Sequence, residues 1–244
     1  MKDSQKGAII TGSTSGIGRA IAIHLASVGY RVGITGRRIH LLEEISKEFP
    51  NQIFIQQFDV SQTETVASNL EELQRKLGGI DLFIHCSGTG TRNTDLILEE
   101  ELRTIQTNVN GFAAVTNWAF KYFENKGFGK LSAITSIAGL RGFALSPSYS
   151  SSKSFQMRYL EALRQKATNL GGKILVTDIR AGFVDTAMGN GDGAFWQTSP
   201  EIAARQIISG IDRNKDVLYV TKRWVFIALV MKIIPGAIFK RLRL

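Results

Sequence analysis

A doubly wound α/β fold, a seven-stranded parallel sheet with helices on both faces, is predicted by three observations. The chain opens with an apolar run, a glycine loop and a helical pattern in immediate succession. Short apolar runs then go on alternating with helical stretches, the order that lays strands parallel and places helices on their faces. The length of 244 residues, with 43% hydrophobic and 21% charged residues, is enough for one large domain and does not require two. One domain over 1–221 is expected, followed by a basic, apolar segment over 222–244.

Gly7–Thr11 (GAIIT) is the first strand, and Ile17, Ile21, Leu25 and Val28 behind it recur at helical spacing. Gly12, Gly16 and Gly18 fall where a tight turn, a close approach to phosphate and close helix packing would each exclude a side chain. The amides at the helix start would then face an anion. Glycine turns also join strands to helices where nothing binds, and this spacing differs from GxGxxG, so context must carry the reading.

Tyr30–Thr35 is the second strand and runs into Gly36-Arg37-Arg38. An acidic residue there holds the ribose diol of NAD, whereas a basic one accommodates the extra phosphate of NADP. Arg37 is the first choice for that phosphate, with Arg19 in support, and Arg38 reads as the start of the next helix's solvated face. The third strand, 52–60, ends in Asp59-Val60, and Asp59 either contacts adenine or caps the helix Thr63–Leu77. Gly79–Cys86 is the fourth strand. His85 and Cys86 are adjacent without a third ligand type nearby, so they are read as packing residues and no metal is expected.

A helical pattern spans about Glu99 to Asn125 with Asn108 and Asn110 in its middle, where asparagine is either exposed or kept for its amide. Gly129–Ser136 is the fifth strand and Lys173–Arg180 the sixth, which leads into Ala181 to Thr186. Residues Ala187 to Thr198, with three glycines, Met188, Phe195 and Trp196, read as a mobile lid over an apolar substrate or as a loop whose aromatics cover the core. Ser199-Pro200 starts a helix, and Asp216–Thr221 is the seventh strand.

Between the fifth and sixth strands a helix reaches about Asn169 and carries Tyr149 and Lys153. Four residues apart, they share one helical face, so an ammonium can sit beside a phenol. A free tyrosine has a pKa of about 10, and a neighbouring cation favours the phenolate and lowers it toward working pH. Ser136, at the end of the fifth strand, can orient a substrate oxygen. Taken without context, Tyr-x-x-x-Lys is equally an ordinary amphipathic helix.

Together these motifs resemble the short-chain dehydrogenase/reductase family over nearly the whole chain. TGSTSGIG at Thr11–Gly18 is similar to its cofactor loop, Asp59-Val60 to its adenine-contact pair, and Asn108 with Gly111 to its catalytic Asn-x-x-Gly. Ser136, Tyr149 and Lys153 fall on the remaining catalytic positions. The family's Asn-Asn-Ala-Gly is here His85-Cys86-Ser87-Gly88, and its Pro-Gly is Ala181-Gly182, which removes a fixed dihedral from the loop over the nicotinamide. The resemblance implies a Rossmann-type domain that binds NADP(H) and transfers a hydride between nicotinamide and a carbonyl or alcohol carbon. Tyr149 would be the general acid or base, Lys153 would lower its pKa and hold the ribose, and Asn108 would position a water linking Lys153 to solvent. Cofactor contacts would come from Gly12, Ser13, Thr14, Ser15, Gly16, Ile17, Gly18, Arg37, Asp59, Val60, Ser87, Gly88, Tyr149, Lys153, Gly182, Val184 and Thr186. A non-catalytic NADP-binding redox sensor is the competing class, which consumption of cofactor with carbonyls would exclude.

The net charge of +9 is concentrated: from Lys222 on there are six basic residues and no acidic ones, against 24 basic and 21 acidic before. No zinc-finger, recognition-helix or RNA-binding pattern is present, so nucleic acid is not an expected partner. A single cysteine forms no internal disulfide, and the N-terminus lacks the apolar stretch of a signal peptide, so a cytoplasmic protein is expected. Trp224–Phe239 is too short and interrupted to span a bilayer. It either packs on the protein or lies at the inner face of a membrane as a peripheral contact. The substrate is then a small or lipid carbonyl, and the two long helices are expected to build a homodimer or homotetramer.

Overall fold

The apolar runs become strands because both of their faces are covered, as parallel strands between two helical layers require. The computed structural model describes residues 5–189 and 195–242. In it β1 (Gly7–Thr11) is buried at all five positions. It is joined by β2 (Arg31–Gly36), β3 (Ile53–Gln57), β4 (Leu82–His85), β5 (Gly129–Ser136), β6 (Ile174–Ala181) and β7 (Val217–Val220). All pair in parallel, in the order β3-β2-β1-β4-β5-β6-β7, so the expected seven-stranded doubly wound sheet is the one observed.

Helices α1 (Gly16–Ser27), α2 (Ile39–Glu48) and α7 (Pro200–Asp212) close one face around Ile21, Leu25, Leu42, Ile45 and Ile207. On the other face α3 (Thr63–Leu77), α5 (Phe112–Lys126) and α6 (Pro147–Asn169) pack around Val66, Leu70, Phe112, Phe123 and Leu160. Each such side chain contributes on the order of 1.5–3 kcal/mol when fully buried. The strand order reverses between β1 and β4, and ligands of such sheets bind beyond the carboxyl ends of the strands at that point.

Two of the differences from the expected boundaries have local reasons. β3 stops at Gln57 rather than Val60 because Asp59 turns the chain, its Oδ1 accepting from the Ser61 amide at 2.9 Å. The helix expected from Glu99 to Asn125 is α4 (Leu98–Ile105) and α5 joined by a π-helical turn at Gln106–Gly111. Gln106 Nε2 donates to Ser61 O at 2.7 Å, and a Cβ on Gly111 would stand 2.5 Å from Val60 O. The helix is thus drawn against the loop after β3, and the wider turn absorbs the approach.

Beyond β7 lie α8 (Trp224–Ile233) and α9 (Gly236–Phe239), separated by Pro235. Trp224, Ala228 and Met231, one turn apart, form the buried face of α8. Arg141 fastens the segment, Nη1 donating to Ile234 O at 3.0 Å while the guanidinium lies 4.4 Å from the Phe239 ring centroid. The packing alternative for this segment therefore holds for one face. Among the described residues no helix is long and apolar enough to cross a membrane.

Candidate active site

The first turn of α6 presents Tyr149 and its second Lys153. Glu101 fixes the helix start, its Oε2 accepting from the Ser148 amide at 3.0 Å, a carboxylate where the helix dipole favours one. Ser136 is the last residue of β5; its Oγ donates to Ala181 O at 3.3 Å and accepts from the Ala138 amide at 3.1 Å. Gly90, in the loop after β4, makes room for the phenol, since a Cβ there would lie 2.3 Å from Tyr149 Cδ2.

The electrostatics depart from the expected pairing. Burial raises the Tyr149 pKa above its ordinary value, and the hydrogen bond with Ser136 only partly opposes this. Lys153 Nζ is 5.8 Å from the Tyr149 ring centroid and donates to Ile134 O at 3.0 Å and Gln156 Oε1 at 2.9 Å. The phenol is therefore held neutral, as a proton donor must be. Burial brings Lys153 down to about 8, against the pull of Asp178 and then Cys86. His85, pushed down to about 3 chiefly by burial, is a neutral packing residue with Nδ1 2.9 Å from Thr11 Oγ1 and its ring edge-on to Phe112. Burial pushes Cys86 up to about 12, which keeps it a thiol. Among the described residues no group of three metal-binding side chains occurs.

Asn108 sits in the π-helical turn, fully buried. Its Nδ2 donates to Thr89 O at 2.7 Å and Ser152 Oγ at 3.0 Å, and its Oδ1 accepts from the Thr89 amide at 2.9 Å. The side chain thus ties the β4 loop to α6. Its carbonyl accepts from Gln156 Nε2 at 2.9 Å. The Gln156 side chain thus bridges the Asn108 carbonyl and Lys153. Nothing in the sequence marked Gln156; only its place three residues after Lys153, on the same helical face, could have done so.

The nucleotide-binding candidates converge where the sheet order reverses. A Cβ on Gly12 would stand 2.7 Å from Ser87 N, and one on Gly18 2.3 Å from Gly12 O. Gly16, with φ +57°, lies under Thr186, whose Cγ2 would be 2.9 Å from a Cβ there. Gly88 passes between Asn108 and Lys153, a Cβ there being 3.4 Å from Oδ1 and 3.5 Å from Nζ. Ser15, the N-cap of α1, makes no side-chain capping bond, so the amides beside Gly16, Ile17 and Gly18 keep their donors for an anion. Ser13 is buried and its Oγ donates to Ile10 O at 2.8 Å, so its side chain braces the loop. Val60 and Val184 are buried.

Both arginines at the end of β2 are exposed. Arg38 reaches back over the glycine loop, its Nη2 donating to Thr14 Oγ1 at 2.6 Å and Ser15 Oγ at 3.0 Å. Arg37 is exposed, with Nη1 3.6 Å from Asp59 Oδ2. Arg19 Nη2 pairs with Glu48 Oε1 at 3.2 Å. Asp59 forms a turn rather than a helix cap, since the residue at the N-cap of α3 is Gln62. The cradle fits a dinucleotide, with glycine at each close approach, free helix-start amides and a guanidinium where an acid would select NAD.

Across the site, Trp224 covers the loop after β6. A Cβ on Gly182 would lie 2.0 Å from its Nε1, and Phe183, Phe195 and Trp196 stand around its ring at 5.5, 5.1 and 6.0 Å. The loop freed of proline is thus held down by an indole. Met188, Phe195 and Trp196 of the expected lid remain exposed, while residues 190–194 of it lie outside the described residues.

The sequence model of the family described as short chain dehydrogenase matches residues 6–194. An uncharacterized oxidoreductase of Myxococcus xanthus is 33% identical over 190 residues, 76% of this chain and 74% of the relative. The NADP-dependent 3-hydroxy acid dehydrogenase of Schizosaccharomyces pombe is 30% identical over 186 residues, 73% and 71% of the two chains. The farnesol dehydrogenase of Aedes aegypti is 30% identical over 192 residues, 74% and 78%. Among solved structures, "ElxO with NADP Bound" superposes with a TM-score of 0.77 at 22% identity, covering 88% of this chain and 96% of the other.

Proposed function

Because the chain belongs to the short-chain dehydrogenase family, and is thereby an oxidoreductase acting between CH–OH and C=O groups, we propose that it is an NADPH-dependent carbonyl reductase. The observation that carries this reading is the joining of Asn108, Gln156 and Lys153 in one buried hydrogen-bonded chain beside Ser136 and a neutral Tyr149. When bound, the dinucleotide supplies the hydride. Ser136 and Tyr149 hydrogen-bond the substrate oxygen, and the Tyr149 hydroxyl gives its proton to that oxygen as the carbonyl becomes an alcohol. Lys153 holds positive charge below the phenol and stabilises the phenolate that this transfer leaves. Arg38 and Arg37, with no acid at the end of β2, support the choice of the 2′-phosphate, as do the names of the NADP-dependent relatives. The aromatic cover of Phe183, Phe195, Trp196 and Trp224 supports an apolar carbonyl.

The test is NADPH consumption across a panel of small soluble ketones and long-chain carbonyls. Turnover is expected in the unmodified protein, and Tyr149→Phe should remove it while cofactor affinity stays nearly intact, since the ring still packs. A variant retaining more than a tenth of the rate overturns the role of Tyr149. Cofactor binding without turnover on any carbonyl would favour the redox-sensor reading.

A further inference from the structure

We infer that the outer face of α8 docks on an anionic lipid surface. Trp224, Ala228 and Met231 point inward, and the opposite stripe, Phe226, Leu229, Val230 and Ile233, is left to solvent, Phe226 at 70% and Ile233 at 76% exposure. Their spacing of three and four residues sets them in a single row. Phe195 and Trp196, both exposed, stand in ring contact with Trp224 on the inner side of the helix. Contiguous exposed apolar surface of this kind marks an interaction face.

Charge identifies the occupant. Lys222, Arg223, Lys232, Lys240 and Arg241 are all exposed, and among the described residues none of them forms an ion pair. Arg243 lies outside those residues. From Lys222 onward the sequence holds no Asp or Glu. Cations before, within and after the apolar row suit a continuous anionic sheet into which a helix sinks its apolar side while its basic residues stay at headgroup level. Since Gly182 lies under Trp224 and the neighbouring Ala181 carbonyl accepts from Ser136, the buried face of α8 lies on the Ser136 side of the site.

Flotation of the full chain with phosphatidylglycerol/phosphatidylcholine vesicles and with pure phosphatidylcholine vesicles tests this, alongside light scattering without lipid. The unmodified chain should float with anionic vesicles at low salt, dissociate as salt rises, and bind neutral vesicles at least tenfold less. Phe226→Glu/Ile233→Glu should cut the anionic binding at least tenfold and leave both the unfolding midpoint and turnover of a soluble carbonyl unchanged. If that variant unfolds, Lys222→Gln/Arg223→Gln/Lys240→Gln serves in its place, with the same loss expected. Failure of the unmodified chain to float at low salt overturns the inference, and this arm needs no variant. So does a stripe variant that floats as before. A fall in oligomer mass on introducing Phe226→Glu/Ile233→Glu, without vesicle binding by the unmodified chain, would assign the face to a second copy of the protein.

Discussion

Lys153 governs how the site responds to pH. With its pKa brought down to about 8 chiefly by burial, the ammonium is present below that value and lost above it, while Tyr149, raised by burial, stays protonated throughout this range. Reduction should therefore show kcat/KM level below pH 8 and falling above it, the limb belonging to the lysine and not to the phenol. Stability moves the other way. The unfolded chain takes up the lysine proton up to about 10.5 and the folded one only to about 8, so this group's contribution to stability rises between those values. Gln156 sets where the limb lies. Gln156→Leu removes an acceptor from Lys153 and a donor from the Asn108 carbonyl, should cost about 1–3 kcal/mol of stability, and should shift the limb to lower pH. Gln156→Glu adds a negative charge and should shift it to higher pH. A limb that stays in place in both variants would leave Gln156 a packing residue only. The candidate residues Tyr149, Lys153, Ser136 and Asn108 were legible because their types stand at fixed spacings, whereas the Gln156 link depends on which rotamers meet in the folded core.

At the scale of single elements, strands and helix starts were legible where the local chemistry is strong. β5 and α3 fall at their expected residues, and Ser199 caps α7 through the Ile202 amide at 3.3 Å. The π-helical turn was not legible, since it arises from contact with the loop after β3 rather than from any propensity of Gln106–Gly111. The direction of Arg38 was hidden for the same reason: a position at the start of α2 does not reveal that the side chain doubles back to Thr14 and Ser15. With Arg38 over the glycine loop and Arg37 beside Asp59, Arg37→Ala/Arg38→Ala should abolish the preference for NADPH in a fluorescence titration. A lost charge-assisted contact of about 1.5–3 kcal/mol corresponds to roughly tenfold or more in affinity, with little change for NADH. Equal affinities for both cofactors in the unmodified protein would remove the basis of this expectation. The β6 loop offers a purely steric counterpart. Gly182→Ala would drive a methyl into the Trp224 indole, 2.0 Å from Nε1, so thermal unfolding should show a loss of about 1–3 kcal/mol, and substrate KM should rise as Trp224 is displaced.

Over the whole molecule, the parallel sheet and the two helical layers were readable because alternating strands and helices admit few topologies, while the exposed apolar row on α4 was not, since exposure is a property of the assembled fold. Two apolar faces emerge from it, and their surroundings differ. On α4, Leu98, Leu102 and Ile105 form one row, with Leu98 at 67% and Leu102 at 53% exposure. Glu99, Glu100 and Glu101 flank this row, so an anionic surface would repel it, whereas a two-fold related copy would cover it. The π-helical turn and the Glu101 bond to the Ser148 amide hold α4 and α6 as one rigid platform, which suits a self-complementary contact. Light scattering should accordingly give the mass of a dimer or tetramer of the 26.9 kDa chain at micromolar concentration. Leu98→Glu/Leu102→Glu, on exposed positions that leave the core untouched, should reduce the mass to that of the monomer, while Phe226→Glu/Ile233→Glu should not. A monomeric mass for the unmodified protein would mean that the α4 row serves another partner, and an oligomer indifferent to Leu98→Glu/Leu102→Glu would place the two-fold axis elsewhere.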